Sequence, residues 1–162
     1  MPACSSPALA PIAETVASDF HENVFDALPT PLFIVDHELG IIDFNAAAAT
    51  MCAPSVFDAL HPKTGEALQC AFAEGGACGK TAACANCAIR NSVLEALEGS
   101  RVCRRAMHAP MRRNGALIDN ELLITTAPFR DGDMNLALLV VENLTEMLAT
   151  RPFASGRLAD VA

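Results

Sequence analysis

The sequence has no tryptophan and no tyrosine, so its eight phenylalanines are its whole aromatic complement. That excludes the stacking platforms on which single-stranded nucleic acid is usually held. Cations are scarce as well: 11 Lys and Arg stand against 19 Asp and Glu, a net charge of −8 that argues against a nucleic-acid partner. Long apolar runs are missing. The longest strongly apolar stretch, Leu136 to Val141, is far short of the roughly 20 residues a membrane helix needs. The first residues carry neither a basic cluster nor an apolar run, so no secretory leader and no membrane partner are expected. A reducing, cytoplasmic setting is the expectation that follows. Neither a complete phosphate-cradling Gly-x4-Gly-Lys-Ser/Thr loop nor a Gly-x-Ser-x-Gly nucleophile elbow occurs. Asp36 and Asp43 read as turn and strand-end residues rather than an acid/base pair, and no enzymatic activity is expected.

What the chain does have is cysteine, seven in all, with four of them in one short segment at Cys70, Cys78, Cys84 and Cys87. The segment is rich in Gly and Ala and poor in large apolar side chains, so it needs something to hold it. Thiolates around a metal would do so, since they are soft, strongly donating ligands suited to zinc or to the iron of an iron–sulfur cluster. Cys84 and Cys87 have the Cys-x-x-Cys spacing that lets two sulfurs from one turn reach one centre. The outer spacings match neither a paired zinc knuckle nor a ferredoxin run. Three readings therefore stand together: an iron–sulfur cluster, a zinc ion, and disulfide or thiol chemistry at Cys84 and Cys87.

Four thiolates on a divalent metal or on a 2+ four-iron cluster leave about two negative charges. Lys80 and Arg90 lie near enough in sequence to offset them, and Arg90 is the one assigned to the site. His61, in a loop before the cysteines, is an alternative ligand. Cys52 and Cys103 read as small buried hydrophobes, and Cys4 as incidental.

Along the chain, residues 1–11 with Pro2, Pro7 and Pro11 read as a disordered lead. Ile12, Val16, Phe20, Val24 and Leu28 then recur every four residues, which predicts an amphipathic helix over 12–28. This helix packs on its own domain or forms the contact of a homodimer. Pro31 to Asp36 and Ile41 to Phe44 form a hairpin, and Asn45 caps a short helix over Ala46 to Ala49. Ala88 to Glu98 is a helix closed by Gly99, with Cys84 and Cys87 at its N-terminus. Three strands follow at Val102 to Met111, Leu117 to Phe129 and Leu136 to Leu144, the first two joined at Asn114-Gly115. Arg101, Arg104, Arg105, Arg112 and Arg113 make a basic hairpin, solvated or docked on an acidic partner. The tail over 149–162 is expected to be loose. This order implies an α+β domain, one mixed sheet with helices on one face.

These residues resemble PAS sensory domains. The run Leu28-Pro-Thr-Pro-Leu-Phe-Ile-Val-Asp36 followed by Gly40-Ile-Ile-Asp-Phe-Asn45 looks like the opening of such a domain, and Leu136 to Glu146 looks like its last strand. The middle is similar to a bacterial cysteine-rich PAS subgroup through Gly65-Glu66-x-Leu68-x-Cys70, Cys78-Gly79, Cys84-x-x-Cys87-x-Ile89-Arg90 and Ser92-Val93. The resemblance implies a PAS domain over 29–148 with a cysteine-rich insertion at 65–90, and a five-stranded antiparallel sheet. It also implies sensing and partner contact rather than catalysis. Haem-binding PAS domains usually supply a histidine from the helix that Ala88 to Glu98 forms here, which has none, and the flavin-photochemical Asn-Cys-Arg-Phe run is absent. Longer relatives carry an output region. The expectation here is a stand-alone redox or oxygen sensor that signals to a separate protein.

Overall fold

The computed structural model describes residues 14–73 and 78–150. The lead over 1–11, with Cys4, lies outside that range, as does nearly all of the tail.

Helix α1 (Glu14–Ala27) is followed by the hairpin of β1 (Leu32–Val35) and β2 (Ile41–Phe44). Asp36 builds the turn between them: its Oδ1 accepts hydrogen bonds from the backbone N–H groups of Glu38 and Gly40, each at 2.8 Å. Two short helices, α2 (Ala46–Ala49) and α3 (Thr64–Ala67), lead to α4 (Ala88–Leu97). Gly99 ends α4 with φ +98°, a backbone conformation that suits glycine. Then come β3 (Val102–Arg113), β4 (Ala116–Asp131) and β5 (Met134–Asn143). Asn114 and Gly115, both at positive φ, form the β3–β4 turn.

The five strands form one sheet in the order β2-β1-β5-β4-β3, antiparallel at every pairing and so not the mixed sheet expected from the element order alone. This is the architecture that the PAS resemblance implies. Alternation decides which side is buried. Phe33, Val35, Leu122, Ile124, Leu139 and Val141 point inward and are at most fractionally exposed. Ile89, Val93 and Ala96 of α4 complete this core. Thr126 on β4 donates its hydroxyl to the Ser92 carbonyl at 2.8 Å and fixes α4 on the sheet. Among the described residues, no helix is long and apolar enough to cross a membrane.

The expectation for Cys103 needs correction. Cys103 is exposed rather than buried. The β3–β4 register shifts between Val102 and Arg105, and Arg104 sits at φ +51°. An inserted residue on an edge strand turns side chains to the other face. The chain after Asn143 is helical, α5 (Leu144–Thr150), because the Asn143 side chain accepts the Glu146 N–H at 3.2 Å. The basic hairpin is largely neutralised locally. Arg105 makes a two-pronged contact with Glu95, Arg104 faces Glu142 at 3.9 Å, and Arg113 faces Glu146 at 3.3 Å.

Candidate functional site

The four cysteines of the 70–87 segment reach the same place from four local structures. Cys70 pairs across a single β-bridge with Met111 on β3. Cys78 is buried in the turn that follows, where it meets Gly65 of α3. Cys84 sits in a 3-10 turn over Ala82–Asn86, and Cys87 is the N-cap of α4. All four line one cavity of about 40 Å³. Its remaining wall is largely hydrocarbon, including Leu68, Ile89, Met107 and Met111.

Gly65 is what allows Cys78 its position, since a β-carbon there would lie 2.7 Å from the Cys78 sulfur. The segment is less coreless than its composition suggests, because Ala73 and Cys78 belong to the central core. The sulfurs ring the cavity rather than meeting at a point. Among the described residues, no three His, Cys, Asp or Glu side chains stand close enough together to hold one metal ion.

The thiols differ in acidity. Burial pushes Cys70 and Cys78 up, and the neighbouring cysteine sulfurs add to the rise. Burial also acts on Cys84 but is outweighed. The Thr81 hydroxyl, 3.2 Å from its sulfur, the Thr81 and Gly79 amides and the Arg90 charge together bring it below the ordinary thiol range. Cys52, buried elsewhere in the core, is pushed up to about 11 by burial.

Arg90 is half-buried, and its charge bears on the Cys84 thiol. It also lines a surface cleft with Lys63 and Lys80, on the Cys78 side of the cavity. Lys63 was missed in the sequence. The available signal was scarcity, since Lys63 and Lys80 are the only lysines in the chain. His61 is exposed at φ +55° and does not line the cysteine cavity. His108 is exposed on β3, 2.8 Å from Glu121.

Asn45 does more than cap α2. Its side chain is fully buried, and its Oδ1 accepts from the Leu32 and Ala48 N–H groups at 3.0 and 2.9 Å. Its Nδ2 faces the carbonyls of Phe25, Leu28 and Thr30 at 3.0–3.2 Å. One amide thus joins the end of α1 to the sheet. Phe20, Val24 and Leu28 remain exposed along this N-terminal segment.

A family model described as a PAS domain matches residues 19–83. The fold is similar to that of several solved PAS structures. The PAS domain of nitrogen regulation protein NR(II) from Vibrio parahaemolyticus is 13% identical with a TM-score of 0.50, covering 76% of this chain and 96% of that one. A PAS domain from a two-component sensor histidine kinase is 8% identical with a TM-score of 0.53, covering 80% and 97%. The fold is also similar to that of the Vibrio cholerae VqmA dimer in the absence of target DNA, a LuxR-type receptor by its description, at 16% identity and a TM-score of 0.54, covering 79% of this chain and 52% of that one. No curated protein matches the chain in sequence.

Proposed function

We propose that this PAS-fold chain is a sensory protein whose four-cysteine cavity holds a redox-responsive iron–sulfur centre. The reading rests on the convergence of Cys70, Cys78, Cys84 and Cys87 on one apolar cavity. Mononuclear zinc needs four ligand atoms about 2.0–2.3 Å from a single point. Sulfurs arranged around a space suit a centre whose irons are distributed. When bound, such a centre supplies one-electron chemistry.

The chain's own residues do the rest. Cys70 and Cys78, buried where a free thiolate is disfavoured, gain their charged form only with a cation beside them. The hydrocarbon wall keeps water away, and Arg90 offsets excess negative charge. Cys87 caps α4, so loss of its bond frees the first turn of a helix that packs on the sheet. A homodimer through the α1 stripe and a separate signalling protein would carry the response onward.

A second reading is a thiol–disulfide switch at Cys84 and Cys87, favoured by the Thr81–Cys84 hydrogen bond that holds one thiol for reaction. A structural zinc is the third. Anaerobic purification followed by absorbance, iron, sulfide and zinc analysis separates them. Visible absorbance with iron and sulfide, lowered by Ser substitution at each of the four cysteines but not at Cys4, supports the sensor. Zinc in a colourless protein that is unchanged in air would rule it out.

A further inference from the structure

Beside the cysteine cavity lies a second site, chemically unlike it. A surface cleft of about 200 Å³ is lined by His37, Glu38, Lys63, Lys80 and Arg90, with Cys78 and Gly79 forming its inner edge. These residues come from the β1–β2 turn, the N-terminus of α3, the turn after Cys78 and the first turn of α4. A chain with a net charge of −8 has placed both of its lysines and one of its nine arginines around one small space.

Like charges gathered in this way repel one another unless something neutralises them. The cleft's own carboxylate does so only in part. Glu38 stands 3.6 Å from Lys63 Nζ but is well exposed, a contact of the kind that contributes little. Lys63 Nζ also donates to the Glu38 carbonyl at 3.2 Å, which fixes the ammonium at the cleft. Lys80 and Arg90 have no ion-pair partner among the described residues. The two lysines and Arg90 outnumber Glu38, leaving the cleft positive even with His37 neutral.

The basic hairpin of β3 shows the contrast, since Arg104, Arg105 and Arg113 each meet a glutamate of their own chain. Gly79-Lys80-Thr81 has the ending of a phosphate-cradling loop. Its Gly79 and Thr81 amides are turned to the Cys84 sulfur, however, so recognition here falls to side-chain cations and not to a backbone cradle.

We propose that this cleft binds a small dianion, with the Arg90 guanidinium supplying a two-pronged contact and Lys63 and Lys80 supplying point charges. A phosphate monoester and a short dicarboxylate share that chemistry. The size of the cleft limits the ligand to a small molecule. The inference is argued from the cleft's own residues, although Arg90 is shared with the charge balance proposed for the cysteine cavity.

The two lysines make the test direct. Reductive methylation of the full chain with ¹³C-formaldehyde labels only Lys63, Lys80 and the N-terminal amine, and leaves their charge in place. Methyl phosphate, succinate and chloride are titrated at constant ionic strength, and the methyl signals are followed by NMR. Both lysine signals are expected to move along one saturating curve with a dianion and not with chloride. Tighter half-saturation by methyl phosphate identifies a phosphate ligand, and tighter half-saturation by succinate a dicarboxylate. Arg90→Gln is expected to raise the half-saturation concentration about tenfold or more. Lys80→Gln, at an exposed position, should do likewise at the remaining Lys63 signal. Shifts that never saturate, that chloride reproduces, or that survive Lys80→Gln unchanged would overturn the proposal.

Discussion

Replacing Asn45 with alanine should be among the most damaging single changes in the domain. The side chain is fully buried and serves five backbone groups. Alanine strips the cap from α2, a loss of about 1 kcal/mol. It also leaves the Leu32 N–H buried without an acceptor, which costs about 1–3 kcal/mol more. The Phe25, Leu28 and Thr30 carbonyls lie nearer the surface and are open to rehydration, so they add less. The total is about 3 kcal/mol, or roughly 10 °C in Tm for a chain of this size. Urea unfolding should show a lower midpoint at unchanged slope. Hydrogen exchange should show the C-terminal half of α1 losing protection.

Asn45→Asp separates the two halves of the amide. It keeps both acceptor contacts but points a carboxylate at three carbonyls, so the folded state favours its protonated form. Its folded pKa then lies above the unfolded value of about 3.9. The folded state binds the proton more tightly, so stability must rise as pH falls through that folded value. A loss under about 1 kcal/mol in the alanine variant, with α1 protection intact, would refute the assignment of Asn45 as the tie between α1 and the sheet.

Gly65→Ala should push Cys78 out of place, since the new β-carbon would meet its sulfur at 2.7 Å. We expect about 1–3 kcal/mol lost and a fall in bound metal that Gly99→Ala does not reproduce. In metal-free protein, iodoacetamide at neutral pH should modify Cys84 well before Cys70, Cys78 or Cys52, because only Cys84 of these is shifted towards thiolate; peptide mass mapping reads the order. Cys52 keeps its proton in the fold to about pH 11, whereas an unfolded thiol loses it near about pH 8.5. The folded state therefore holds more protons in that window, stability falls as pH climbs through it, and Cys52→Ala should flatten the decline in alkaline urea titrations. A double change of Phe20 and Val24 to Asp should turn a dimer into a monomer by sedimentation, and a full-length chain that is already monomeric would end that idea.

Much of the fold was legible because its signals are local. Asn45 before an alanine run, Asn114-Gly115 between two strands and Gly99 after α4 each dictate a backbone conformation that their neighbours cannot override. The joining of the first hairpin and the three later strands into one antiparallel sheet was not local, and came through the PAS resemblance; their order in that sheet was not read at all. Cys103 was misread because a β-bulge is a pairing event between two strands and leaves little trace in either one. The grouping of the four cysteines was suggested by their clustering, but the part played by Gly65 was not, since it depends on a contact with Cys78 across a turn. The cationic cleft was invisible for the same reason, as its residues come from four elements that only the fold brings together.

The position of α4 is what gives the cysteine cavity a route to the rest of the domain. Its N-cap is Cys87, one of the proposed ligands, while its body is held at three further points. Thr126 donates to the Ser92 carbonyl, Arg105 reaches both Ser92 Oγ and Glu95, and Asn135 donates to the Leu97 carbonyl. The last two anchors are partly or fully exposed and exchange readily with water, whereas Thr126 and the Ile89–Val93–Ala96 face are buried. A change at Cys87 therefore cannot be absorbed by fraying the far end alone. It would displace Ile89, two residues on and in the wall of the same cavity, and close packing would then pass the displacement to β4 and β5 as a shift of the whole face. β5 pairs with β1, and β1 receives the Asn45 contact through Leu32. The cavity and the exposed stripe of α1 thus lie at two ends of one packed and hydrogen-bonded series, and the Asn45 variants interrupt it at a point remote from every cysteine in the site.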